Sequence, residues 1–108
     1  MAWFIKTETL SPGFLALSGP ERGALLQEHR AWGAALQATG VAIASGFLVD
    51  AQRHPGGGGL LVLQAASYNE ALALIRQDPL IAAGWVTWQL HEWIAATGDL
   101  AVNAETRA

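Results

Sequence analysis

The chain contains no cysteine. That one absence excludes disulfides, thiol nucleophiles, iron–sulfur clusters and thiolate zinc sites, and nothing calls for an oxidising compartment. Charge is also scarce. Charged residues make up 14% of the chain, against roughly 25% in an average protein. With 52% hydrophobic residues, the composition excludes intrinsic disorder, which needs few apolar groups and many charges. Lys and Arg number 6 against 9 Asp and Glu, for a net charge of −3. Such a balance leaves no electrostatic footprint for nucleic acid or an anionic membrane surface. No apolar run approaches the ~20 residues of a membrane span. The start, Met1-Ala2-Trp3-Phe4-Ile5-Lys6-Thr7-Glu8, lacks the basic opening and long apolar stretch of a secretory signal. The expected location is the cytoplasm. There are 3 histidines and no HxH or HExxH pair, so neither a metal site nor another cofactor is expected.

What is present reads as one domain. A chain of 108 residues can bury a real core, and its apolar excess suggests surface covered by a partner. Trp3 to Thr9 is rich in β-branched and aromatic residues and predicts a strand, ended by Ser11-Pro12-Gly13. Ser18-Gly19-Pro20-Glu21 is a capping box with proline in the first turn. It opens a helix running to about Ala38, with Gly40 as its stop. Val41 to Val49 predicts a second strand, and Asp50 to Gly59 a loop ending in the glycines Gly56–Gly59. Leu60 to Ala66 predicts a third strand, paired with the second as a hairpin. Ser67-Tyr68-Asn69-Glu70 reads as another capping box, for a helix to about Gln77 that Asp78-Pro79 breaks. Trp85 to Trp93 is the fourth strand. Residues 1–95 form the domain, and 96–108 a C-terminal tail, either loose or against a partner.

The order β-α-β-β-α-β predicts an α+β, ferredoxin-like fold: a four-stranded antiparallel sheet with two helices on one face. The other sheet face has no cover from its own chain. On the last strand Val86, Trp88 and Leu90 alternate with Trp85, Thr87, Gln89, His91 and Trp93. The first set faces the helices. The second places Trp85 and Trp93 on the bare face as anchors for a homodimer.

Chemistry concentrates on few residues. His29 shares the inward stripe of the first helix with Leu25, Trp32 and Leu36. It is either an acid–base group near neutral pH or a core histidine bonded to a backbone carbonyl. Asp78, before Pro79, is a natural N-cap. One of its oxygens can cap while the other bonds a histidine, giving a His–Asp dyad. Ser45, with Gly46 beside it in a strand, is either a donor to a substrate carbonyl or carboxylate or a small residue admitted by crowding. Ser45, Gly46 and Trp32 are the substrate-binding candidates, and His29 and Asp78 the catalytic ones. Gly56–Gly59 lacks the Lys-Ser/Thr and helix of a phosphate loop, so it reads as a flexible hairpin. Asp50 and His54 form a weaker alternative pair. Arg22, Glu28 and Arg30 read as a solvated helix face.

These features together resemble the YCII-related family. They are a helix carrying His29 then Trp32, the strand segment Ala44-Ser45-Gly46, a glycine-bearing hairpin, Ser67-Tyr68-Asn69-Glu70-Ala71, and Asp78-Pro79-Leu80 with Gly84. The resemblance runs from about Trp3 to Trp93; many members carry Gly-Pro where this chain has Gly46-Phe47. It implies a dimeric α/β barrel similar to muconolactone isomerases, with an active site centred on His29 and Asp78. One branch of the family resembles dehalogenating lyases acting on chlorinated muconolactones. The leading functional expectation is a small-molecule lyase or isomerase. In it His29 moves a proton next to a carbonyl and Asp78 orients the ring, on a small, anionic ligand. The alternative is a ligand-binding or accessory module in which His29 is only a polar anchor.

Overall fold

The structure is a computed structural model and describes residues 1–98. Its elements are β1 (Ala2–Leu10), α1 (Pro12–Leu15), α2 (Gly19–Ala38), β2 (Ile43–Val49), β3 (Pro55–Ala65), α3 (Tyr68–Ile75), α4 (Pro79–Ala82) and β4 (Val86–Trp93). The strands form one antiparallel sheet in the order β2-β3-β1-β4. Each βαβ half places its second strand one position beyond a strand of the other half. This is the ferredoxin-like arrangement, and the helices pack on one face.

Strand alternation sets the core. Phe4 of β1, Leu61 and Leu63 of β3 and Leu90 of β4 point to the helix side and meet Ala71 and Ile75 of α3. A second cluster joins Phe14, Leu80 and Val86, with Leu25, Leu26 and Trp85 packed against it. α2 begins as its residues dictate. The Ser18 hydroxyl accepts the Glu21 N–H, the Glu21 carboxylate accepts the Ser18 N–H, and Pro20 lies in the first turn. Hydrogen bonds from the Ser18 side chain and then its backbone hold the Glu21 carboxyl below its ordinary range. Gly40 follows the helix at φ +98, the left-handed conformation expected of a C-terminal stop.

Several boundaries differ from the sequence reading. Ser11-Pro12-Gly13 does not merely end β1. The Ser11 hydroxyl caps α1, which delivers Phe14 into the second core cluster. β3 begins at Pro55, so the glycines read as loop lie within a strand. Gly58 holds φ +86, and a Cβ there would sit 2.5 Å from the Glu8 carbonyl oxygen. Glycine is needed at that position for both reasons. The second capping box is not reciprocal: Ser67 accepts the Glu70 N–H, but Glu70 reaches back to the Ala66 N–H. Trp85 precedes β4 and packs edge-on against Phe14, 6.1 Å between ring centres, so it is not on the bare sheet face. Arg22 is no solvated face residue either; its guanidinium donates to the carbonyls of Leu15 and Leu17. The expected C-terminal tail lies almost wholly outside the described residues. No helix among the described residues is long and apolar enough to cross a membrane.

Candidate active site

The site is laid out by strand register. Ser45 lies opposite Leu61, Leu61 opposite Lys6, and Lys6 opposite Leu90. These four residues form one row across the helix-facing side of the sheet. Neighbouring strands are ~4.8 Å apart, so Ser45 and Lys6 are separated by about two strand spacings, with the apolar Leu61 between them. His29 of α2 and Asp78 at the start of α4 bridge that gap from above.

The His29 Nδ1–H donates to Asp78 Oδ2 at 2.8 Å, and His29 Nε2 lies 3.1 Å from Ser45 Oγ. Asp78 is fully buried. Its Oδ1 accepts the Leu80 N–H at 3.0 Å, the N-cap of α4. One carboxylate therefore both caps a helix and holds a histidine. A buried carboxylate without partners would be strongly disfavoured. Here the remaining charge is met by Lys6, whose Nζ lies 3.7 Å from Oδ2. Lys6 is 1% exposed and its ammonium is also paired with Glu8. Gly59 makes room for this pair, because a Cβ there would fall 2.7 Å from Glu8 Cγ.

The hydrogen bonds fix the histidine's polarity. Ionised Asp78 can only accept, so Nδ1 carries the proton and Nε2 of the neutral ring is an acceptor. Ser45 must then be the donor to Nε2. The His29 side chain is 14% exposed, while Ser45 is exposed. The Nε2 edge of the imidazole thus faces solvent past Ser45, and its Nδ1 edge is sealed by Asp78. Trp32 lies one turn along α2, with its ring centre 5.9 Å from that of His29. It packs beside the imidazole. Its Nε1 is buried with no hydrogen-bond partner among the described residues.

The structure brings together His29, Asp78, Ser45 and Trp32. It does not bring Gly46 to them. Alternation turns Gly46 to the opposite sheet face, where Ala44, Leu48, Leu60 and Val62 line a shallow apolar groove. Asp50 and His54 are 3.8 Å apart and highly exposed in the β2–β3 turn, where Asp50 Oδ1 accepts the Gln52 and His54 N–H groups. Their pairing belongs to that turn. Sequence reasoning missed Lys6 and Glu8. The signal was present: both share the alternation of Phe4, so two charged residues occupy the helix-facing side of a strand. No group of His, Cys, Asp and Glu able to hold a metal ion occurs among the described residues.

The sheet order and the one-sided helices define a ferredoxin-like α+β fold. Within that class, the chain belongs to the YCII-related family: residues 2–94 match the YCII-related domain. Solved structures agree on the fold. A 5-chloro-2-hydroxyhydroquinone dehydrochlorinase, TftG, from Burkholderia phenoliruptrix AC1100 is 22% identical, with TM-score 0.66 over 87% of this chain and 95% of that one. Its structure holds 2,5-dihydroxybenzoquinone. TA0507, which carries the name "putative chlorite dismutase", is 14% identical, with TM-score 0.52 over 95% of this chain and 49% of that one. At3g17210 from Arabidopsis thaliana is 13% identical, with TM-score 0.50 over 93% of this chain and 100% of that one. No curated protein sequence matches the chain.

Proposed function

We propose that this protein is a small-molecule enzyme of the lyase or isomerase type, which moves a proton next to a carbonyl with His29 as the base. The observation that carries this reading is the polarity of the His29–Asp78 pair: Nδ1 is committed to a buried carboxylate at 2.8 Å, which leaves Nε2 as the proton acceptor at the solvent side. Asp78 fixes the tautomer and stabilises the imidazolium once it forms. Ser45 releases Nε2 when the substrate arrives and donates to the substrate's oxygen. Trp32 packs its ring beside the imidazole. Gly46 contributes small size and backbone from the strand, not a surface facing His29.

The charge arrangement supports an anionic intermediate rather than an incoming anion, because Lys6, Glu8 and Asp78 carry a net −1 while His29 is neutral. Glu8 and Asp78 offset Lys6 and a protonated His29, so the cluster is neutral when the imidazolium faces a developing enolate or phenolate. TftG, whose name specifies a chlorinated hydroxyhydroquinone and whose structure holds a dihydroxyquinone, suggests the substrates to try first. Chloride release from 5-chloro-2-hydroxyhydroquinone is the test. We expect turnover in the unmodified chain and a loss of ~10²–10⁴-fold in His29→Ala, the usual contribution of a general base. Turnover unchanged in His29→Ala would overturn the role of His29. A second reading, a non-catalytic ligand-binding or accessory module, draws on the Ser45–His29 contact, which satisfies Nε2 without any substrate. Binding of 2,5-dihydroxybenzoquinone with no turnover of any hydroxyquinone would favour it.

The proposal includes a homodimer through the bare sheet face. Ile5, Leu60 and Val62 are only half-buried there, Leu48 is 44% exposed and Trp93 is 38% exposed. A second copy would cover them and the groove beside Gly46. A single domain over residues 1–95, with a tail that follows it, and a cytoplasmic location complete the proposal. Limited proteolysis and cell fractionation of the full chain test those two points.

A further inference from the structure

We infer that Ser45 is a nucleophile, and that the site carries a second chemistry: transfer of an acyl group from a small ester to Ser45 and then to water. The inference rests on the reading of His29 as the base, and goes beyond it by naming the first proton that base takes. Three observations lead here. Asp78 Oδ2, His29 Nδ1, His29 Nε2 and Ser45 Oγ form an unbroken chain with contacts of 2.8 and 3.1 Å. The polarity of that chain is imposed from its buried end, where Asp78 is fully enclosed and can only accept. The Ser45 O–H therefore points at a basic nitrogen, the arrangement that activates a serine hydroxyl. Finally, Ser45 is exposed, so an electrophile meets its oxygen before it meets His29.

Strand geometry adds a site for the developing charge. β2 is an edge of the sheet. The Gln64 N–H donates to the Ala42 carbonyl, so the pair of residues 42 and 64 is hydrogen-bonded. Antiparallel pairs alternate between bonded and non-bonded, which puts Ser45, opposite Leu61, in a non-bonded pair. Its own N–H is then directed to the open edge of the sheet, beside the side chain that attacks. Backbone N–H groups of this kind stabilise oxyanions.

The step balances without a co-reactant other than water. Ser45 Oγ forms a bond to the ester carbonyl carbon, and its proton passes to His29 Nε2. The bond from that carbon to the alkoxy oxygen then breaks, and the alcohol leaves with the proton from Nε2. Water repeats the sequence on the acyl-serine and releases the carboxylic acid.

The test uses a fluorophosphonate, in which Ser45 Oγ bonds to phosphorus, fluoride leaves and the proton goes through Nε2 to solvent. The full chain is treated with the probe and the adduct is located by peptide mass mapping. The expected result is a single adduct on Ser45, absent in Ser45→Ala. In His29→Gln, which keeps a side chain able to donate to Asp78 but has no base, labelling should slow by ~10²-fold or more. Circular dichroism of each variant shows whether the fold is retained. No adduct on Ser45, or equal labelling in folded His29→Gln, overturns the inference. If labelling fails while His29-dependent turnover of a hydroxyquinone persists, the serine assignment alone is lost. If both fail, His29 is not a base.

Discussion

Asp78 is fully buried, and its two oxygens have different duties: Oδ1 caps α4, and Oδ2 holds the imidazole. Asp78→Asn should separate these duties. The cap survives through the amide oxygen, but the amide nitrogen now donates to Nδ1 and reverses the tautomer, so Nε2 no longer accepts. Loss of activity by ~10⁴-fold with the helical signal retained is expected, following the cost of the same change in serine protease triads. Lys6 stands behind this pair. Its buried ammonium faces Glu8 and Asp78. Lys6→Met should destabilise the fold by ~3–5 kcal/mol in urea unfolding, because the buried Asp78 and the partly buried Glu8 are left with no ammonium between them. Adding Glu8→Gln to that variant removes one of the stranded charges and should recover part of the loss. A Lys6→Met protein as stable as the parent would mean that the cluster is hydrated. The histidine and aspartate were legible from the sequence because each sat in a recognisable local context, a helical stripe and an Asp-Pro cap. Lys6 and Glu8 share the helix-facing alternation of Phe4 but were not singled out, since the Asp78 carboxylate that gives Lys6 its role lies far along the chain and only the fold brings it near.

The glycines of β3 show how an element can be misread. Four successive glycines carry no side-chain pattern, so period-2 alternation is invisible and a loop is the natural expectation. In the structure Gly59 pairs with Glu8 of β1, and the missing side chains of Gly58 and Gly59 admit the backbone and side chain of Glu8. Gly58→Ala should cost ~1–3 kcal/mol, since it combines a positive φ with a backbone clash. Gly46→Ala, with open space around the added Cβ, should be close to neutral. Thermal melts of the two variants make the comparison. At the other end of the site, α2 depends on its capping box, and Ser18→Ala should cost ~1 kcal/mol. The Glu21 carboxyl titrates below its ordinary value of 4.5 in the folded chain. Its contribution is therefore complete above that value and is lost as pH falls through the lowered one. The protection of the first-turn amides of α2, measured as exchange relative to the intrinsic rate at each pH, should fall over that acidic window, and in Glu21→Gln this pH dependence of protection should disappear.

At the scale of the molecule, the order of strands and helices was readable because cap signals and apolar runs alternate in the βαββαβ order. Register was less so, and it decides what each tryptophan does. Trp85 was placed on the bare sheet face by extending β4 one residue too far. It packs instead against Phe14. Trp85→Ala should lower the melting temperature and leave association unchanged. Trp93, opposite Trp3 on β1 and 38% exposed, should behave in the opposite way. Its truncation is expected to weaken the proposed dimer by more than ~1 kcal/mol with little change in the fold. Sedimentation of the two variants across a concentration series separates the effects. A parent chain that sediments as a monomer at micromolar concentration would remove the dimer from the account. The central claim, that Asp78 fixes His29 with its basic nitrogen turned outward, is tested most directly by the ring nitrogens themselves. Long-range nitrogen–proton correlation on histidine-labelled protein, at a pH where the imidazole is neutral, should show His29 with its proton on Nδ1 and a bare, acceptor-type Nε2. A His29 with its proton on Nε2, or an average over both forms like that of an unrestrained ring, would contradict it.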